Sequence, residues 1–358
     1  MRPTVMAFAL AMLSATGAAA ASAQTARDED VTFRNGSITI AGTLSLPAGA
    51  GPFPAVVLLS GSGPQDRDSD LLGFKPFKLI AESFVQRGIA VLRCDDRGVG
   101  GSTGTVAGST IEDFAGDALA AIHLLRVRAG IDGARVGLLG HSEGAIVAAV
   151  AAARSSDVSF IIWMAGSAVS GGEILRMQAA SLARAAGASE SAVERILGHH
   201  AAMTALIEDA PDDKLMALGR ALAVAQMTAV PGTKLPAPAD LDTQADRLIS
   251  QNLAVLRSPW MRFFIGFDPS KALRRVSIPV LAIFGGRDLQ VPQAGNRERL
   301  EKALSDAGNR TVTVRVYPEA NHLFMPAVTG QPAEYATLPK MFVPTLLDDI
   351  ATWISKRS

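Results

Sequence analysis

Ser142 is the side chain around which the chemistry of this chain can be built. It stands at the centre of Gly140-His141-Ser142-Glu143-Gly144, with the apolar run Val136-Gly-Leu-Leu139 before it and the Ala-rich segment Ala145 to Ala153 after it. That order reads as strand, sharp turn and helix, with a serine at the turn. The reason for the pattern is steric. A serine on a strained turn lifts its hydroxyl clear of the sheet, and glycines two before and two after let strand and helix pass without Cβ clashes.

A serine hydroxyl is a poor nucleophile. It needs an imidazole to take its proton and an acid to orient and stabilise that imidazole. The chain has five histidines: His123, His141, His199, His200 and His322. His123 precedes the serine within a helical pattern, His141 is pinned beside the serine inside the turn, and His199 and His200 lie in a long helical stretch. Only His322 follows a late strand-like run, in the loop Tyr317-Pro-Glu-Ala-Asn-His-Leu-Phe324. His322 is therefore the expected base. The acid should follow a strand between the two. Val280-Leu-Ala-Ile-Phe-Gly-Gly-Arg-Asp288 supplies that setting. Asp268 is the competitor, but Pro269 and a helix-like segment follow it, which suits a helix cap better. Asp288 is favoured.

The third need is a pair of N–H groups for the oxyanion. One is expected from Glu143, the residue after the nucleophile. The other is expected from the loop Ser60-Gly61-Ser62-Gly63. Ser62 is the first choice and Gly61 the second. Two polar clusters are left over. Gln65-Asp66-Arg67-Asp68 either rims a pocket or forms a buried ion network, the latter preferred. The glycines of Asp95-Asp-Arg-Gly-Val-Gly-Gly-Ser102 have neither the phosphate-loop nor the dinucleotide spacing and read as a structural turn. No His, Asp or Glu cluster has metal-ligand spacing, so no metal is expected. Cys94, the single cysteine, ends an apolar run and reads as a strand-end residue.

These residues need a scaffold. Val31 to Leu46 alternates apolar and polar around Asn35-Gly36, the signal of a β-hairpin. Strands are expected at 55–59, 89–93, 136–139, 160–164, 280–284 and 311–316. Helices are expected at 74–87, 111–128, after Glu143, 293–307 and 338–353. From 170 to 267 the pattern is helical with no strand, chiefly in 172–207 and 213–228, around a Pro-containing loop at 231–238. The expectation is an α/β fold whose mostly parallel, doubly wound sheet carries an inserted helical cap. Its divisions are a first core part (24–168), the cap (169–267) and a second core part (268–358).

With 358 residues and 48% apolar content, the chain can bury a sizeable core. Its 34 basic and 34 acidic side chains balance, so no nucleic-acid groove or polybasic membrane patch is expected. Arg2, the apolar run Val5 to Ala20 and Ala21-Ser22-Ala23 read as a cleaved secretory signal over 1–23, with Gln24 as the new N-terminus. A periplasmic or secreted protein without a stable membrane anchor is the expectation.

Taken together, Leu59-Ser-Gly-Ser-Gly-Pro-Gln-Asp-Arg-Asp68, Asp95 to Ser102, Gly140 to Gly144, Phe267-Asp-Pro269, Pro279 to Pro292 and Asn321-His322 resemble the α/β-hydrolase superfamily. In particular the chain is similar to bacterial EstD-type esterases, near the serine aminopeptidase-like group. The resemblance implies the α/β-hydrolase fold, a triad of Ser142, Asp288 and His322, and hydrolysis of small carboxylic esters without a cofactor, often with short acyl groups. The usual His-Gly before the oxyanion donor reads Ser60-Gly61 here. A serine peptidase would use the same machinery with an amine-reading carboxylate, for which Glu173 and Asp66 are candidates. An acyl thioesterase would share the triad, though export would separate it from most CoA thioesters. A binding protein would need none of the three residues. Oligomeric state is not legible in the sequence.

Overall fold

The computed structural model describes residues 25–207, 209–233 and 235–357. The expected signal segment and its cleavage point lie outside the described residues. Eight strands form one sheet: β1 (Arg27–Asn35), β2 (Ile38–Leu46), β3 (Phe53–Leu59), β4 (Ala90–Cys94), β5 (Ile131–His141), β6 (Ile161–Met164), β7 (Val280–Gly285) and β8 (Val312–Tyr317). Their spatial order is β1-β2-β4-β3-β5-β6-β7-β8. The β1–β2 and β2–β4 pairs are antiparallel and the other five are parallel. Asn35 pairs with Ile38, so β1 and β2 turn over two residues, with Gly36 at φ 57°.

Helices cover both faces, which is why the central strands are apolar throughout rather than alternating. One layer has α1 (Pro76–Val85) and α11 (Leu346–Ser355) packed on Val56, Leu139, Ile162 and Ile283. The other has α2 (Ile111–Arg126) and α3 (Glu143–Arg154) against Val57, Leu138, Ile161 and Ala282. Thr110 and Asp113 close a reciprocal capping box that starts α2. Ala145, Ala148, Ala149 and Ala151 of α3 are buried, and their small side chains bring that helix close to the sheet beneath Ser142.

Among the described residues, five helices longer than one turn stand between β6 and β7: α4 (Gly171–Ala185), α5 (Glu190–Leu206), α6 (Asp212–Met227), α7 (Pro238–Leu256) and α8 (Pro259–Gly266). The helical stretch expected over 172–207 is in fact two helices. Gly187, at φ 89°, ends the first, and the Ser189 hydroxyl caps the second. A short α9 (Ser270–Leu273) precedes β7, and α10 (Gln293–Asp306) joins β7 to β8. The last helix also differs from expectation. It begins at Leu346, not near 338, because Pro344 has no N–H to donate and disfavours the helical conformation at Val343.

The parallel strands point the same way, so the loops after β3, β4, β5, β7 and β8 gather at one edge of the sheet, where ligands bind in such folds. Those loops hold Ser62, Asp96, Ser142, Asp288 and His322.

Candidate active site

Ser142 joins β5 to α3 at φ 57°, ψ −117°, a conformation that costs a non-glycine residue roughly 1–3 kcal/mol. Its N–H donates to the Met164 carbonyl at 2.9 Å, which helps hold the turn. The glycine spacing has a direct cause. A Cβ on Gly140 would lie 2.0 Å from the Gly144 carbonyl oxygen, and one on Gly144 would lie 2.2 Å from that of Leu59.

Asp288 follows β7 and His322 follows β8. The His322 Nδ1–H donates to Asp288 Oδ2 at 2.8 Å. The other carboxylate oxygen, Oδ1, accepts the backbone N–H groups of Gln290 and Val291, each at 2.8 Å. A carboxylate only accepts, so Nδ1 carries a proton, and in the neutral imidazole Nε2 is then the acceptor. The turn that presents His322 is shaped by buried Asn321, whose Oδ1 accepts from the N–H groups of Leu323 and Met325 at 3.0 Å.

His141 has a task that its position in the motif did not disclose. Its Nε2–H donates to the His322 backbone carbonyl at 2.8 Å, and the two rings lie 4.8 Å apart. Burial, then the neighbouring His322, lowers its pKa to about 4, so it is neutral near pH 7 and fixed as the Nε2–H tautomer. The remaining candidates lie elsewhere. Asp268 Oδ1 accepts the Ser270 N–H. His123 is exposed near the end of α2, and His199 and His200 belong to α5.

Ser142 and His322 line one cavity of about 690 Å³, together with Gly61, Ser62 and Glu143. Its apolar wall comes from Ile174 and Leu175 of α4, Met261 and Phe264 of α8, and Phe77 and Ile80 of α1. Among the described residues of α4 to α8, only those of α4 and α8 reach the cavity. A Cβ on Gly61 would stand 3.2 Å from Ser142 Cβ, so the oxyanion-type loop runs directly past the serine. Asp96 holds both ends of that loop. Its Oδ1 accepts the Ser60 hydroxyl at 2.5 Å and its Oδ2 accepts the Gln65 N–H at 2.9 Å. Burial pushes the Asp96 carboxyl up to about 7. Above the loop, Glu143 accepts from Ser62 Oγ at 2.6 Å and from Trp260 Nε1 of α8 at 2.8 Å. Burial raises its pKa too. Trp260 went unnoticed in the sequence; the start signal Ser258-Pro259 points to its helix, not to its partner.

The two leftover clusters interlock. Gln65 and Asp66 line the cavity, while Arg67 makes a two-pronged contact with Asp95 (3.1 and 2.7 Å) and Asp68 pairs with Arg93. Both readings of that cluster thus hold, split at Asp66. In the glycine-rich turn, Asp95 accepts the Gly101 N–H and Arg97 grips Asp117 at 2.6 and 2.9 Å. Cys94 ends β4 against Gly42, and burial raises its thiol pKa. Glu173 is not at the cavity; it pairs with Arg299 at 3.0 Å. Among the described residues, no group of three His, Cys, Asp or Glu side chains is placed to hold a metal ion.

An eight-stranded, mostly parallel sheet with flanking helices and a serine on a strained strand-to-helix turn defines an α/β-hydrolase. Comparison with known proteins agrees. The family model described as serine aminopeptidase, S33, matches residues 75–223, and that of the dienelactone hydrolase family matches 266–337. Esterase EstD of Thermotoga maritima is 31% identical over 341 residues, covering 92% of this chain and 68% of that protein. The chain therefore belongs to the EstD-like α/β-hydrolases and is an ester-hydrolysing enzyme. Among solved structures, the Pyrococcus furiosus esterase PF2001 superimposes with a TM-score of 0.54 at 16% identity, over 93% of this chain and 90% of that one. The hypothetical protein PA2218 of Pseudomonas aeruginosa gives 0.51 at 16% identity, over 93% and 94%. Both share the fold.

Proposed function

We propose that the enzyme is an exported serine carboxylesterase that works through Ser142, His322 and Asp288 and an acyl-enzyme. The observation that carries this reading is the Asp288–His322 pair, with Nε2 left as acceptor, on the same cavity as a serine held at positive φ. In the forward step, Nε2 of His322 takes the Ser142 proton as Oγ attacks the ester carbonyl. The Asp288 carboxylate stabilises the imidazolium. The N–H groups of Glu143 and of Ser62, with Gly61 as the second choice, receive the oxyanion. Each such donor contributes about 3 kcal/mol of barrier lowering. The imidazolium then protonates the leaving alcohol, and water releases the acyl group by the same route reversed.

Export rests on the apolar run and Ala21-Ser22-Ala23 near the N-terminus. The short acyl group rests on the likeness to EstD-type esterases. Purified protein is expected to release p-nitrophenol from a series of acyl esters, fastest with short chains, and Ser142→Ala to abolish release. Undiminished turnover in that variant would overturn the assignment. Amino-acyl anilides cleaved faster than the esters would favour a peptidase. N-terminal sequencing of protein from the periplasm or medium is expected to begin at Gln24; an intact N-terminus there argues against cleavage.

A further inference from the structure

We infer that the side chain of Glu143 is a positioning residue: it ties the oxyanion loop to the roof of the cavity through Ser62 Oγ and Trp260 Nε1. The inference rests on the proposed oxyanion site and assigns the side chains of its two principal donors a task of their own.

The loop explains why a tie is needed. Asp96 fixes it at Ser60 and at Gln65, and Pro64 stiffens the approach to Gln65, but the tip between is Gly61-Ser62-Gly63. Two glycines around one serine leave the tip backbone unusually permissive, and Gly63 sits at φ 89°. The Ser62 N–H is useful only if it faces the same point as the Glu143 N–H. The latter is fixed, because Glu143 is the first residue of α3 and its N–H has no acceptor within the helix. The 2.6 Å bond from Ser62 Oγ to Glu143 Oε2 fastens the movable donor to the residue that carries the fixed one.

The other oxygen, Oε1, is taken by the Trp260 indole N–H at 2.8 Å, across 117 residues of sequence. Trp260 is itself held. Its ring stacks on Phe264 at 5.5 Å and its backbone N–H donates to Ala107. With 5% of Glu143 exposed, both of its oxygens are matched to protein donors and water has little access. Burying a carboxyl is unfavourable, and an alanine would begin α3 without that cost. The neutral acid keeps both contacts: its O–H donates to Ser62 Oγ while Oε1 still accepts from Trp260. Glutamine can do the same with its amide. Alanine can do neither.

The test uses an alkyl boronic acid, which adds reversibly to the serine and places an anionic oxygen in the oxyanion site. Its affinity is measured beside kcat and KM on one p-nitrophenyl ester. Glu143→Ala and Ser62→Ala are expected to lower kcat and weaken the boronate about tenfold or more, with KM within about twofold. Glu143→Gln should stay within about threefold of the unaltered enzyme, and Trp260→Phe, which keeps the ring and loses the N–H, should fall between. Because the contacts form one chain, the Ser62→Ala/Glu143→Ala double variant should be no worse than Glu143→Ala alone. The inference is overturned by unchanged kcat and boronate affinity in Ser62→Ala. It is equally overturned by a glutamine variant as impaired as alanine, or by a double variant in which the two losses multiply. If the unaltered enzyme neither binds the boronate nor reacts at Ser142, the underlying proposal fails instead.

Discussion

The edge of the sheet that carries Ser142 and the helices that roof it are built differently. Beneath the serine, β3, β5, β6 and β7 are sealed between two helical layers, and the loops above them are wired by buried carboxyls. Asp288 holds His322, Asp96 holds the ends of the 60–65 loop, and Asp95 holds Arg67. In the roof, the small core is Ala192, Ile196, Leu222, Ala225 and Ala229, three of them alanine, with only Ile196 and Leu222 larger. Two of its ion pairs, Arg184–Glu190 and Arg220–Asp246, are exposed. Alanine contacts bury little apolar area, and exposed pairs contribute little. The lesson is a division of labour. Groups that must hold sub-ångström geometry stand on the rigid edge, the cavity wall packs into the same sheet cores through Ile174, Phe264, Phe77 and Ile80, and only the outer helices α5 and α6 rest on the softer core that tolerates change.

That contrast predicts a descending series of effects. At the sheet edge, Asp288→Asn should lower kcat by about 10³-fold or more, because an amide facing Nδ1 favours the wrong imidazole tautomer. Circular dichroism should show the fold intact. A residual rate near that of the unaltered enzyme would mean that the pair is not part of the machinery. Next comes packing. Ile162→Ala, in β6 between the two helical layers, should cost about 2–5 kcal/mol in urea unfolding. Ile196→Ala in α5 should cost less than half as much and leave kcat within about threefold, since the alanine-rich surroundings give it few large neighbours. Equal costs would erase the contrast.

A pH measurement comes third. The Asp96 carboxyl is pushed up to about 7 by burial, with the nearby Glu143 and Asp95 charges adding and the Ser60 and Gln65 bonds opposing. A carboxyl whose folded pKa exceeds its unfolded one gives stability that is full at pH below about 4 and lost as pH rises through about 7. Unfolding free energy should therefore fall by up to a few kcal/mol between about pH 4 and about pH 8 from this group. Asp96→Asn, which can accept from Gln65 and donate to Ser60, should flatten that slope. An unchanged slope would show that Asp96 does not set it. The smallest effect is expected from the roof. Leu175→Ala should shift the preference among acyl esters by less than about tenfold, through KM and not kcat.

How much was legible beforehand follows the same division. Strands, the glycine spacing around Ser142 and the chain order Ser, Asp, His are written locally, and the structure brings His322 onto Asp288. Four features were not readable. The His141 contact with the His322 carbonyl spans 181 residues, and that of Trp260 with Glu143 spans 117, so no local pattern announces either. The start of α11 was misread because apolar periodicity continues past Pro344 while the backbone cannot. The break at Gly187 was passed over because the alanines on both sides keep a helical pattern.

The central claim is that Ser142 is the nucleophile. Diethyl p-nitrophenyl phosphate reacts with an activated serine and leaves a stable phosphoryl group, so intact-mass and peptide analysis after titration reads the claim directly. The account predicts one adduct per chain, on the peptide that contains Gly140 to Gly144, with esterase activity lost in proportion and no adduct in Ser142→Ala. An adduct on another residue, or ester hydrolysis that persists while Ser142 is fully modified, would contradict it.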